Sequence, residues 1–284
     1  MNKDITLELE DMVKNGAFPG ANCAIITSKY EYTLSVGYKS LLPNLEKNNI
    51  NTLYDMASLT KVVVTNTIIG RMLDKKIIKL TDKVSMYSKR FKHKDITILE
   101  LLLHTSGLPA DLKVNFNLTK EEYIKDIYNL DLVYKTGSKV LYSDIGFIIL
   151  GFMIEEIYQK TLDKVAYLEV FKPLGMNKSY FNPKDKEECA PTEVTTDRNV
   201  VRGVVHDEKA YLLGGVAGHA GLFSTLEDVI TFSKMIVNDG YHNDERYLSK
   251  EIIDLWFHPF IEEDKNRYRT IGWIVGKKKL QLVI

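Results

Sequence analysis

Apolar residues recur along this chain in two rhythms, an alternating one near its start and a helical one through its middle. Residues 21–27 and 32–37 are rich in Ile, Tyr and Val and flank a short polar stretch, which predicts two strands of a hairpin. Ahead of them, residues 1–14 set Ile5, Leu7, Leu9, Met12 and Val13 among acidic positions, the pattern of an amphipathic helix, and Phe18-Pro19-Gly20 turns the chain. From Ser58 onward, Val62, Val63, Val64, Ile68, Ile69, Met72 and Leu73 predict an almost fully buried helix. Its β-branched content is poor for intrinsic helicity, so tertiary packing must hold it.

Local punctuation divides the rest. Thr81-Asp82 has the look of a capping start for a short helix, and the helical spacing of residues 97–103 stops at His104-Thr105-Ser106-Gly107-Leu108-Pro109. Thr119 with Glu122 three residues on is a capping box for a helix through Leu130. Residues 145–158 and 162–171 read as two more helices, 173–205 as loop-rich, and 214–221 as glycine-dense. Ser224 or Thr225 caps a helix to Asp239, Ser249 opens another to Phe257, and residues 270–275 and 280–284 are strand-like. The order is helix, strands, a long helical insertion, then helix and strands. It predicts one α/β domain of the α+β type over residues 1–284: a mainly antiparallel sheet flanked by helices, plus an inserted all-helical lobe. The sheet lobe is expected from residues 1–56 and 205–284 and the helical lobe from 57–204.

Composition removes whole classes of function. The 38 basic residues balance 38 acidic ones, so no broad field favours nucleic acid or an anionic membrane. The apolar run at residues 147–154 is far too short for a membrane span, and residues 1–14 lack the unbroken apolar core of a signal peptide, so a soluble, cytoplasmic protein is expected. Cys23 and Cys189 are expected as free thiols, and no Cys/His set has metal-ligand spacing, so neither a metal nor an organic cofactor is expected.

Against that plain background, Ser58-Leu59-Thr60-Lys61 stands out. Residues three apart on a helix share a face, so the Lys61 amine can reach the Ser58 hydroxyl. A serine hydroxyl is a weak nucleophile until a neighbouring base takes its proton, and a lysine is such a base only when neutral. Three further patterns follow in order: Leu103-His104-Thr105-Ser106-Gly107-Leu108-Pro109, Tyr142-Ser143-Asp144-Ile145-Gly146-Phe147, and Gly214-Gly215-Val216-Ala217-Gly218-His219-Ala220-Gly221. Together they resemble the penicillin-binding-protein-like and class C β-lactamase-like serine hydrolases. The run Val204-Val205-His206-Asp207-Glu208-Lys209-Ala210 is similar to members acting on cell-wall fragments, N-acetylmuramoyl-L-alanine amidases included.

The resemblance implies a β-lactamase/transpeptidase-like fold in which Ser58 attacks a carbonyl, Lys61 manages its proton, and Tyr142 stands at the second acid/base position. Asp144 replaces the commoner Asn of the third place, and an ionised Asp can only accept hydrogen bonds. Two readings stand for Asp144, a helix cap before Ile145 and a substrate contact. Close approach to Lys61 would stabilise the ammonium and oppose its use as a base. His206, Asp207 and His219 are candidates for the cleft rim, His206 and His219 as substrate-binding residues. Lys135-Thr136-Gly137 spells the third family motif but lies just upstream of Tyr142, where a structural turn is expected.

A Lys/His-Thr/Ser-Gly strand after Ile271-Gly272-Trp273 is missing from the sequence. The expectation is therefore a chain lacking the last strands and C-terminal helix of its relatives, with a sheet edge open to self-association. The expected activity is acyl-enzyme hydrolysis of an amide or ester, foremost a peptidoglycan-derived peptide or muropeptide. A non-catalytic remnant and a small-ester esterase or β-lactamase are the alternatives.

Overall fold

The two Ile-, Tyr- and Val-rich runs near the start of the chain form a hairpin in the computed structural model, which describes residues 2–27 and 30–276. The strand expected at 280–284 lies outside the described residues. Helix α1 (Asn2–Lys14) precedes strands β1 (Gly20–Ile26), β2 (Glu31–Ser40) and β3 (Glu46–Lys47), which form an antiparallel sheet in the order β1-β2-β3. The β1–β2 register runs from Gly20 opposite Gly37 to Ile26 opposite Glu31. Gly37 is required there: its φ is +67°, and a Cβ would sit 2.3 Å from the Pro19 carbonyl oxygen.

The middle of the chain is helical, as its spacing predicts. After β4 (Tyr54–Asp55) a π-helical stretch, Lys61–Asn66, runs on into α2 (Thr67–Asp74). Then come α3 (Ile98–Leu102), α4 (Lys120–Asn129), α5 (Asp144–Tyr158), α6 (Leu162–Ala166), a second π-turn at Tyr167–Phe171, and α7 (Lys172–Leu174). The expected capping box at Thr119/Glu122 is formed, and the structure adds a second at Thr97/Glu100. Thr81-Asp82 does not cap a helix. The short 3₁₀ turn Val84–Met86 starts from Lys83, and the Asp82 carboxylate instead accepts from the Lys79 N–H and the Tyr87 hydroxyl.

Strands return as β5 (Tyr180–Phe181), β6 (Glu193–Thr195) and β7 (Asn199–Val201), followed by α8 (Glu208–Leu212), β8 (Leu222–Ser224) and α9 (Leu226–Val237). The chain continues through β9 (Tyr241–His242), β10 (Glu245–Arg246), α10 (Lys250–Trp256), β11 (Ile261–Asp264), β12 (Arg267–Arg269) and β13 (Ile274–Gly276). Helix α9 packs on β1 and α1 on β2. Among the described residues no helix is long and apolar enough to cross a membrane.

Two packing features position the site. Helix α5 is buried continuously from Ile145 to Ile154, at the centre of an apolar core that also takes in α2 and α3. The glycine-rich loop lies directly on it, since a Cβ on Gly218 would meet the Phe147 carbonyl oxygen at 2.1 Å. The second feature is the short sheet β4-β8-β5, in which Asp55 faces Phe223 and the Met56 N–H donates to the Leu222 carbonyl. It seats the turn before Ser58 against the end of the glycine-rich loop.

Candidate active site

The turn carrying Ser58 is wound tightly by its own backbone. The N–H groups of Leu59, Thr60 and Lys61 donate to the carbonyls three residues before them, those of Met56, Ala57 and Ser58. Ala57 is left-handed, φ +44°, a conformation that costs a residue with a Cβ of order 1 kcal/mol or more. Asp55 holds it there by accepting from the Ala57 N–H at 2.9 Å. The three-residue offset brings the Lys61 Nζ to 2.9 Å from the Ser58 Oγ.

Lys61 is 3% exposed, and each of its three ammonium N–H bonds has an acceptor. These are the Ser58 Oγ, the Asp144 Oδ1 at 2.7 Å and the His219 carbonyl oxygen at 3.4 Å. Its Nζ also stands 4.7 Å from the centroid of the Tyr142 ring. The carboxylate partner 2.7 Å away favours the ammonium over the uncharged amine that a lysine base requires.

Of the two readings of Asp144, the cap is not what forms. Ser143 caps α5, its Oγ accepting from the Gly146 N–H, and Asp144 occupies the first helical turn, where the helix dipole favours a negative charge. Its two oxygens serve two lysines, Oδ1 binding Lys61 and Oδ2 lying 3.3 Å from the Lys209 Nζ. Burial alone would raise the Asp144 pKa, but the charges on Lys61, His219 and Lys209 outweigh it and hold the carboxyl below its ordinary range.

Lys209, 7% exposed, is the hub of a second ion cluster. It contacts Asp111 and Asp207 at 3.1 Å each besides Asp144, and Asp207 in turn holds the His219 Nε2 at 2.8 Å. Burial disfavours the Lys209 charge, yet Asp207 and Asp144 push its pKa above the usual lysine range. Burial likewise opposes ionisation of Asp207, but the hydrogen bond from His219 and the nearby Lys209 drive its pKa well down. Asp144, Asp207 and His219 could together ligate a cation, but both carboxylates are already engaged by ammonium groups.

The other expected residues divide. His219 is buried and reaches the cluster through both ring and carbonyl. His206 does not reach Ser58; its ring meets Glu193 at 2.7 Å, while its backbone N–H donates to the Asp55 Oδ2. Lys135-Thr136-Gly137 is a turn, with the Thr136 hydroxyl donating to the Ser106 carbonyl and the Gly137 N–H to that of Thr105.

Ser58, Lys61 and Tyr142 line a cavity of about 450 Å³ together with Arg269, Trp273 and β13. Arg269 is paired with Glu263 at 2.6 Å. Beneath Tyr142 lies His104, ring centroids 4.5 Å apart, whose Nδ1 accepts from the Ser143 N–H. Burial, with the Arg269 and Lys61 cations nearby, pushes the His104 pKa down to about 3, so it is neutral. Lys209, Asp111 and Asp55 were not distinguished by sequence: a buried lysine and a solvated one look alike until distant segments meet.

A serine and a lysine in contact where buried helices meet antiparallel strands define the β-lactamase and penicillin-binding-protein type of fold. The chain matches the family model Beta-lactamase over residues 8–281 and belongs to that family. A Salmonella enteritidis protein provisionally named D-alanyl-D-alanine carboxypeptidase is 32% identical over 290 residues, covering 90% of this chain and 66% of its own. The N-acetylmuramyl-L-alanine amidase of Bacillus subtilis is 28% identical over 307 residues, covering 91% of this chain and 70% of its own. Among solved structures, EstCE1, a hydrolase with promiscuous acyltransferase activity, aligns with a TM-score of 0.80 at 19% identity, over 98% of this chain and 83% of its own. The chain therefore spans roughly two thirds of the length of the curated relatives it matches.

Proposed function

We propose that this chain is a serine hydrolase forming an acyl-enzyme at Ser58 on an amide or ester of a peptidoglycan-derived peptide or muropeptide. The observation that carries the reading is the 2.9 Å contact between the Ser58 Oγ, open to a cavity, and the buried Lys61 Nζ. The names of the curated relatives, a carboxypeptidase and an amidase, support the substrate class.

In this reading Lys61 acts as a fixed cation. By donating to the Ser58 Oγ it stabilises the negative charge that grows as the hydroxyl loses its proton. Tyr142, half-exposed and with its ring 4.7 Å from the Lys61 Nζ, takes that proton in its phenolate form and becomes the neutral phenol. The Oγ–carbon bond forms, the C–N or C–O bond breaks, and Tyr142 returns the proton to the departing amine or alcohol. Water then attacks the acyl ester, and Ser58 regains its proton as the acid leaves. Asp144 fixes Lys61 with one oxygen and Lys209 with the other. His219 positions Lys61 and Asp207, and His206 binds substrate from the neighbouring rim.

A fluorophosphonate probe tests this directly. Wild-type protein is expected to take the label and the Ser58→Ala variant to take none. A folded wild type that stays unlabelled would sink the proposal. Small esters are the second reading, favoured by the apolar walls that Met56, Val62, Phe257 and Trp273 give the cavity. Turnover of p-nitrophenyl esters with no cleavage of muropeptides would decide for it.

A further inference from the structure

A larger cavity, about 980 Å³, opens beside the Ser58 pocket between the β6–β7 hairpin and α8. Two contacts tie it to the reactive turn. Asp55 accepts from the N–H of Ala57 with one oxygen and from that of His206, on the cavity wall, with the other. Lys209, also on the wall, shares Asp144 with Lys61. The volume lies at the upper end of what small-molecule clefts hold, more than a serine–lysine pair alone requires.

The lining has a definite chemistry. Tyr211 and Phe116 are 43% and 50% exposed, stand edge to face at 6.2 Å, and give an apolar platform inside a polar cleft. Around them the principal charges are already matched. His206 meets Glu193 at 2.7 Å, and Lys209 has its three carboxylates. The Arg198 guanidinium donates to the Val205 and His206 carbonyls while lying 5.3 Å from the Tyr211 ring centroid. Asp197 and Glu208 add negative charge, which disfavours an anion. What remains is two exposed aromatic rings set nearly perpendicular and ringed by hydrogen-bonding groups, so that one ring face is complementary to the C–H face of a pyranose and the polar rim to its hydroxyls.

We propose that this cleft is a saccharide subsite holding the neutral sugar portion of the substrate, with the scissile bond directed at Ser58. The inference deepens the hydrolase reading and rests on it for the orientation of the bond, but binding of the sugar does not depend on turnover.

N,N′-diacetylchitobiose titrated into the full chain, followed by saturation-transfer NMR and calorimetry, tests it. Saturable binding is expected, equally in wild type and Ser58→Ala. Tyr211→Ala and Phe116→Ala should each weaken it about tenfold, while Tyr211→Trp retains it, with unfolding temperatures confirming that each variant is folded. The proposal is overturned if no saturable binding is seen, if folded Tyr211→Ala and Phe116→Ala both bind as wild type does, or if a sugar-free stem peptide displaces the disaccharide. Fluorophosphonate labelling without sugar binding removes the subsite and leaves the hydrolase; sugar binding without labelling does the reverse.

Discussion

Two lysines lie buried within one ion cluster, sharing Asp144, yet their surroundings differ in kind. Lys209 faces three carboxylates, from Asp111, Asp144 and Asp207, at 3.1–3.3 Å. Lys61 faces one carboxylate and two uncharged oxygens, the Ser58 hydroxyl and the His219 carbonyl. A buried cation must recover several kcal/mol of lost hydration from its partners. Lys209 does so with negative charge to spare, which fixes it as a structural cation. That excess also draws on Asp144, so Lys61 has only part of one carboxylate and keeps a donor directed at a reactive oxygen. On the proposed reading, one network holds a scaffold lysine and a chemical one without separate pockets.

Breaking the Lys61 side should have the largest effect. In Lys61→Met the Ser58 Oγ loses its charged donor, and fluorophosphonate labelling should slow by about 10²–10⁴-fold. The fold should survive, because Asp144 keeps Lys209. Labelling within a few-fold of wild type would mean that the Ser58–Lys61 contact has no chemical role.

Breaking the Lys209 side should act on stability first. Lys209→Met leaves the largely buried Asp144 and Asp207 without their common cation, Asp111 being open to solvent, and removing one partner of a buried pair costs about 3–5 kcal/mol. Urea unfolding measures it. A loss below about 1 kcal/mol would show that the three carboxylates find other partners, and the scaffold role assigned to Lys209 would fall.

The neutral group under this cluster sharpens the contrast through pH. Unfolded, His104 takes a proton near its ordinary value of 6.5; folded, it resists until about 3. Between those values the unfolded chain binds more protons, so stability falls as pH falls. The interval sets an upper bound of about 5 kcal/mol on the loss. The depressed carboxyls of Asp144 and Asp207 work in the same direction, but their contribution is lost only below the ordinary carboxyl range. His104→Asn, which suits the residue's φ of +58° and can still accept from the Ser143 N–H, should flatten the decline between pH 7 and pH 4. An unchanged slope would mean that His104 charges without penalty.

What the sequence reveals follows from how far apart the cooperating residues lie. The Thr97/Glu100 and Thr119/Glu122 boxes and the Ser58–Lys61 pair are three-residue relations, fixed once a turn forms, and each is present. The β1–β2 hairpin is legible because two runs rich in Ile, Tyr and Val flank a short polar stretch. By contrast β4, β5 and β8 are two or three residues long, too short for a period, and pair only because the glycine-rich loop carries β8 onto β4. Tyr142 could be placed by family resemblance, but the division of Asp144 between two lysines could not. Asp111, Asp144 and Asp207 come from three separate segments, and nothing local marks them as partners of Lys209.

The smallest effect should come where ion-pair geometry is as good but burial is absent. Lys250 and Asp254 meet at 2.8 Å on the face of α10, nearly the distance between Lys61 and Asp144, yet they are 51% and 63% exposed. Water already solvates both charges, so contact recovers little hydration, and holding two long side chains together costs rotamer freedom. Lys250→Met should leave the unfolding temperature and the labelling rate indistinguishable from wild type, at low and high salt alike. A clear drop would mean that distance alone governs these pairs. The contrast drawn between Lys61 and Lys209 would then have to rest on counting contacts rather than on what surrounds them.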